Sequence, residues 1–116
     1  MRMRKKKNCG ARMERCESVW IKEPEKCKGK WHEIFENNNP IHIEIGCGKG
    51  SFIRGMAQMH PDINFVAVEK VEDVIVMAME KAIEAELTNV RFTDMDAEKI
   101  DDFFEYGEAE LSLIHI

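Results

Sequence analysis

The chain has 116 residues, of which 44% are hydrophobic and 34% charged, and its formal net charge at pH 7 is −5. This length favours one small core and gives no reason to expect a second complete domain. No apolar run approaches the roughly 18 residues that a membrane-spanning helix needs, so we expect no membrane partner and a cytoplasmic location.

Positive charge is concentrated at the start of the chain. Residues 1–30 contain eleven Lys or Arg and four Glu, a balance of +7, whereas residues 31–116 have a balance of −12. Lys and Arg contacts with phosphates supply the sequence-independent part of nucleic-acid affinity, so a basic leader on an acidic body is compatible with a nucleic-acid partner. On charge alone, a solvated tail that maintains solubility is the simpler explanation.

Cysteine and histidine spacing gives no indication of a metal site. The four cysteines form no C-x-x-C pair, and the four histidines form no H-x-x-x-H pair. The cysteine content is also far below that of a secreted disulfide scaffold. We therefore predict no metal site, and the cysteine usage agrees with a cytoplasmic protein.

The first predicted unit is a basic extension over residues 1–39, which we expect to be only weakly structured. Its candidate helices run over Ala11–Glu17 and, after the break at Pro24, over Glu25–Phe35. The turn cluster Asn37-Asn38-Asn39-Pro40 ends the extension.

Strand-like and helical segments alternate after this turn. The predicted order is a strand over Ile41–Ile45, a glycine loop, a helix over Ser51–His60, a strand over Asn64–Glu69, a helix over Glu72–Leu87 and a strand over Val90–Thr93. A short helix over Asp101–Glu105 and the start of a fourth strand over Leu111–Ile116 follow. This alternation predicts an α/β fold with a doubly wound parallel sheet and right-handed crossovers. Ligands of such sheets bind beyond the carboxyl ends of the strands.

Acidic side chains occur where this sheet would present its ligand edge. Glu44 lies in the first strand, Glu69 closes the second, and both Asp94 and Asp96 follow the third. The loop Gly46-Cys47-Gly48-Lys49-Gly50 lets the backbone approach a ligand closely and adopt positive φ. Because an acid at the end of the second strand can accept both hydroxyl protons of a ribose, the pattern indicates a nucleotide-like ligand.

The glycine pattern discriminates between two such cofactors. A dinucleotide fold would have G-x-G-x-x-G, with glycine at the position of Ser51, whereas this chain has G-x-G-x-G preceded by Glu44. A carboxylate is unfavourable beside a pyrophosphate but favourable near the ammonium group of S-adenosylmethionine, so the pattern favours the latter. Asp96 could accept a hydrogen bond from the adenine amino group, although Asp94 is an equally plausible candidate. The predicted cofactor-binding residues are Glu44, Gly46, Gly48, Glu69 and Asp96.

Several segments resemble the bacterial tRNA (guanine-N7-)-methyltransferase family. They are PIHIEIGCGKG at residues 40–50, MRMR at residues 1–4, KGKW at residues 28–31, NFVAVE at residues 64–69 and DMDA at residues 94–97. The resemblance implies a Rossmann-like class I methyltransferase fold, S-adenosylmethionine as cofactor, and a tRNA substrate methylated at N7 of a guanine in its variable loop. It implies cofactor contacts at Glu44, Glu69 and Asp96. It also implies that RNA phosphates contact Arg2, Arg4, Lys5, Lys6 and Lys7.

The chain departs from the family pattern at its end. Family members continue from the fourth strand into a segment resembling S-D-P-W-P-K-K-R-H, which supplies an acid near the methyl group and basic residues that hold tRNA, and Ile114-His115-Ile116 does not follow that pattern. We therefore expect catalytic residues beyond residue 116, an incomplete cofactor-binding domain over residues 40–116, a sheet truncated after about the fourth strand, and no activity from the chain alone. The alternatives are a class I methyltransferase acting on another substrate and a non-catalytic RNA-binding fragment.

Overall fold

The structure is a computed structural model that describes the backbone of residues 9–114 and the side chains of residues 10–110. Within this range the elements, in chain order, are α1 (Cys9–Glu14), α2 (Trp31–Phe35), β1 (Ile41–Ile45), α3 (Ser51–Met59), β2 (Asn64–Val68), α4 (Glu72–Glu84), β3 (Val90–Thr93), α5 (Ile100–Phe103) and β4 (Glu110–Ile114). Two 3-10 turns lie at Pro24–Cys27 and Ala97–Lys99. No helix among these residues is both long and apolar enough to cross a membrane.

The strands form one parallel sheet in the order β3-β2-β1-β4. Because every pair is parallel, all the carboxyl ends meet at one edge. The strand order reverses at β1, with β2 and β3 on one side and β4 on the other. Open α/β sheets bind ligands at such a reversal, outside the carboxyl ends of their strands.

Helices cover both faces of the sheet. One core packs Ile53 of α3 and Ile75 and Met79 of α4 against Phe65 and Phe92. The opposite core packs Trp31 of α2 and Phe103 of α5 against Val66 and Val68. All five residues of β2 are buried, which is typical of a parallel strand that is covered on both faces. The predicted doubly wound α/β fold is confirmed.

The part of the extension that the structure describes is packed against this sheet. Its buried side chains include Met13, Cys16, Val19, Trp31 and Phe35. Trp20 forms a parallel bridge with Phe92, so the chain at this point continues the sheet beyond β3. The expectation of a weakly structured leader is wrong for these residues, because the apolar side chains that enter the core are separated by charged ones and produce no strong local pattern.

Predicted element boundaries differ from the observed ones by a few residues. The predicted helix over Ala11–Glu17 is α1 (Cys9–Glu14), and the one over Glu25–Phe35 is divided into a 3-10 turn and α2. Gly29, at φ +77°, lies between these two pieces. Helix α4 ends at Glu84, before the predicted Leu87, because Glu86 adopts φ +57° and the Leu87 amide turns back to donate to the Ala82 carbonyl.

Candidate functional site

A cleft of about 160 Å³ opens at the carboxyl edge of the sheet, where β1, β2 and β3 end. Its lining is apolar at Ile45, Val68 and Met95 and polar at Glu69, Lys70 and Asp96. The backbone of Gly46 also lines it. Three of the predicted cofactor-binding residues, Gly46, Glu69 and Asp96, therefore lie around one cavity.

The glycine loop connects β1 to α3 and packs directly on α4. Its first amides, those of Gly46 and Cys47, donate to the Val68 carbonyl at 2.7 and 3.4 Å, which ties the loop to the end of β2. Gly50 has φ +81°, and a Cβ added there would lie 2.9 Å from the Cβ of Ala78 in α4. The loop can approach α4 this closely only because residue 50 has no side chain.

Glu69 links the glycine loop to the start of α4. Its Oε1 accepts a hydrogen bond from the Gly48 amide at 3.1 Å, and its Oε2 accepts one from the Val71 amide at 3.1 Å. An ionised carboxylate has about four acceptor positions, so two remain for further donors. Glu69 is half-buried and borders the cleft, where a ligand with two adjacent hydroxyl groups could donate to it.

Glu44 differs from the other two predicted acids in its burial and its position relative to the cleft. Its side chain is 2% exposed and does not belong to the lining of the cleft formed by the described residues. Burial, followed by the charges of Glu44 and Glu69, raises the pKa of the Cys47 thiol well above its ordinary value. Glu44 lies two residues before the first glycine of the loop, and the raised pKa favours the neutral form of the Cys47 thiol.

The structure distinguishes the two aspartates that follow β3. Asp96 lines the cleft, and its Oδ1 accepts the Glu98 amide at 3.0 Å, which caps the 3-10 turn. Asp94 is not part of that lining, and its Oδ1 accepts the indole N–H of Trp20 at 3.0 Å. Sequence reasoning missed Trp20, whose position 74 residues earlier gives no local signal of this contact.

Two further predictions concern charged groups and metals. The predicted RNA-contacting residues Arg2, Arg4, Lys5, Lys6 and Lys7 lie outside the described residues, so their role stays a prediction. Among the residues that the structure describes, no group of three or more His, Cys, Asp or Glu side chains could hold a metal ion.

Sequence comparison identifies relatives over most of the chain. A family model described as "Putative methyltransferase" matches residues 38–116. The tRNA (guanine-N(7)-)-methyltransferase of Listeria innocua serovar 6a is 50% identical over 108 residues, which are 93% of this chain and 50% of that protein. The enzyme of the same name from Streptococcus agalactiae serotype III is 40% identical over 115 residues, 99% of this chain and 54% of that protein. The chain spans about half the length of the curated relatives it matches.

Solved structures share the fold. An antibiotic-related methyltransferase superposes with a TM-score of 0.53 at 24% identity, over 60% of this chain and 37% of that chain. The plantazolicin methyltransferase BpumL, solved in complex with SAH, superposes with a TM-score of 0.50 at 16% identity, over 95% of this chain and 37% of that chain. These likenesses show a partial Rossmann-like fold of the class I methyltransferase type.

Proposed function

The chain belongs to the tRNA (guanine-N7-)-methyltransferase family, and from this premise we propose that it supplies the S-adenosylmethionine site for methylation of guanine N7 in the variable loop of tRNA. The observation that carries the proposal is the cleft that Gly46, Glu69 and Asp96 share at the carboxyl edge of the sheet. The loop pattern G-x-G-x-G preceded by Glu44 favours this cofactor over a dinucleotide, because a carboxylate near the loop would repel a pyrophosphate.

The lining of the cleft fits the parts of the proposed cofactor. Glu69 would accept the two ribose hydroxyls through its remaining acceptor positions, and Asp96 would accept the adenine amino group. Met95 offers an apolar, polarisable surface to the adenine ring. Glu44, near the glycine loop, would add negative potential that favours a cationic ligand.

The chemistry requires alignment more than proton transfer. When bound, S-adenosylmethionine supplies an electrophilic methyl group on a sulfonium ion. Guanine N7 has a free lone pair, so no base has to remove a proton before the methyl is transferred. The residues of this chain would contribute by holding the cofactor in one orientation and by providing acidic groups near a site that is positively charged before and after transfer.

The chain matches about half the length of its curated relatives. Catalysis and the main tRNA contacts are therefore proposed for the part of those relatives that it does not match. We propose that residues 1–116 alone bind the cofactor in residues 40–116 but do not methylate tRNA, and that the catalytic and main tRNA-holding residues lie in the part of the family that this chain does not match. The basic extension, residues 1–39, would contact tRNA phosphates. The protein would act in the cytoplasm, on tRNA.

A chimera tests the proposed activity. Replacing the aligned 108 residues of the Listeria innocua relative with the residues of this chain that match them should give a protein that forms N7-methylguanosine in tRNA, measured by mass spectrometry of nuclease digests. Glu69→Ala in the chimera should reduce methylation at limiting cofactor by at least about tenfold, because it removes the ribose acceptor. Asp62→Ala removes an exposed carboxylate before β2, at the opposite edge of the sheet, and is the matched control. A folded chimera that binds the cofactor and leaves tRNA unmethylated would overturn the proposed substrate.

A further inference from the structure

We propose that Trp20 is a positioning residue for the cofactor cleft: through its bond to Asp94, it fixes the segment that carries Asp96 and so determines how well the site recognises a 6-amino purine. This inference deepens the proposed function and rests on it. It assigns a role in the cofactor site to a residue of the basic extension.

The backbone around Trp20 is held to the edge of β3. The Ile21 amide donates to the Phe92 carbonyl at 2.8 Å, and the Phe92 amide donates to the Val19 carbonyl at 2.7 Å. These two bonds flank Trp20 and make the parallel bridge to Phe92. Trp20 is therefore fixed relative to β3. Its partner Phe92 lies one residue before Thr93, the last residue of that strand.

A second contact fixes the preceding helix. The Arg12 guanidinium in α1 forms two hydrogen bonds with the Glu80 carboxylate in α4, at 2.6 and 3.0 Å. Such two-point pairing restrains orientation as well as distance. The segment that presents Trp20 is thus attached both to the sheet and to a helix packed on it.

The Trp20 indole then holds Asp94, which directly precedes the cleft segment, residues 95–97. An indole has one N–H and accepts no hydrogen bond, so its donation to Asp94 Oδ1 at 3.0 Å is directional. Asp94 comes immediately after β3, and the next three residues, 95–97, all line the cleft. Fixing Asp94 therefore fixes the start of the segment whose Asp96 borders the cavity.

Precise placement of Asp96 matters because a carboxylate discriminates between two purines. The 6-amino group of adenine donates to a carboxylate, whereas the 6-oxo group of hypoxanthine only accepts and would face it unpaired. If the segment moves, the bond to the amino group weakens and the penalty against the oxo group falls. Loss of the Trp20 bond should therefore reduce selectivity and not only affinity.

The test compares two ligands on the chain itself. Calorimetry should show that the wild-type chain binds S-adenosylhomocysteine at least about tenfold more tightly than S-inosylhomocysteine. Trp20→Phe keeps an aromatic ring and deletes the donor, and it should reduce this ratio to about threefold or less. Asp94→Ala keeps the Trp20 ring and deletes the acceptor, and it should have the same effect, while Asp94→Asn keeps an acceptor oxygen and should keep the wild-type ratio.

Lys22→Met is the matched control near the same ring. The Lys22 ammonium lies 4.9 Å from the centroid of the Trp20 ring and pairs with Glu14, and its removal leaves the bond to Asp94 intact. The ligand ratio should be unchanged in this variant. If Trp20 had a purely structural role, its loss would weaken the binding of both ligands equally, and the ratio of the two affinities would stay as in the wild type.

The outcomes separate the two proposals. Failure of the wild-type chain to bind either ligand would overturn the proposed function together with this inference. Binding by the wild type with the same ratio in Trp20→Phe and Asp94→Ala would overturn the inference alone. If Trp20→Phe does not fold, as judged by circular dichroism, the pair Asp94→Ala and Asp94→Asn decides.

Discussion

Thr93 is a buried polar residue at the end of β3, next to the cleft segment. Its side chain is 0% exposed, and within the described part of the chain its hydroxyl has no hydrogen-bond partner. Burying a hydroxyl without a partner costs about 1–3 kcal/mol. Valine has nearly the same shape and lacks the polar oxygen, so position 93 is one where an apolar residue fits the local environment better.

We predict that Thr93→Val leaves the free energy of unfolding unchanged or raises it by up to about 1 kcal/mol, measured by urea denaturation. Thr88→Val, at an exposed position before β3, is the control and should change it by less than about 0.5 kcal/mol. A loss of more than about 1 kcal/mol in Thr93→Val would show that the hydroxyl has a stabilising contact.

The acids around the cleft show which site residues a sequence can locate. Glu69 and the glycine loop are recognisable because the end of a strand and the spacing of glycines are local features. The choice between Asp94 and Asp96 is not local, since it depends on the indole of Trp20. The burial of Glu44 was also not predictable, because it depends on tertiary packing and not on a local sequence pattern.

The contact between the glycine loop and α4 is the main packing constraint at the scale of elements. Gly50 has φ +81°, and a Cβ there would come within 2.9 Å of Ala78. Both the backbone conformation and the helix separation therefore require glycine. The loop, α3 and α4 form one packed unit at the edge where the cleft opens.

Gly50→Ala should lower the free energy of unfolding by about 1–3 kcal/mol and weaken cofactor binding, because the loop must move away from α4. Gly55→Ala is a matched control: it lies inside α3, where a Cβ would meet nothing within 4 Å, and should stabilise by about 0.5–1 kcal/mol. The readouts are thermal unfolding and calorimetry. Equal stability of Gly50→Ala and the wild type would contradict the described packing.

Strands that follow from a local sequence pattern were predicted well, whereas packing that depends on residues distant in the sequence was not. The strands β1, β2 and β3 follow from runs of β-branched and apolar residues bounded by turns, and they lie within one residue of their predicted limits. The packing of the extension depends on contacts such as Arg12 with Glu80, which are 68 residues apart. No periodicity within the extension encodes such a contact.

At the scale of the whole molecule, the basic leader and the acidic body are not independent parts. Side chains of the extension from Met13 to Phe35 enter the cores on both faces of the sheet, and Trp20 extends the sheet beyond β3. We therefore expect that removing residues 9–35 would unfold the domain and abolish cofactor binding. The extension combines a structural role near the sheet with the proposed role of its first basic residues toward tRNA.

We propose that the carboxylates at the ends of successive parallel strands form an S-adenosylmethionine site. Calorimetric titration of the chain with S-adenosylmethionine tests this site most directly, with Glu69→Gln as the variant and Asp62→Asn as the control. We predict one binding site in the wild type and in Asp62→Asn, and at least about tenfold weaker binding in Glu69→Gln, because the amide lacks the charge and one acceptor oxygen of the carboxylate. Equal affinity of Glu69→Gln and the wild type, or no binding by the wild type, would contradict the account.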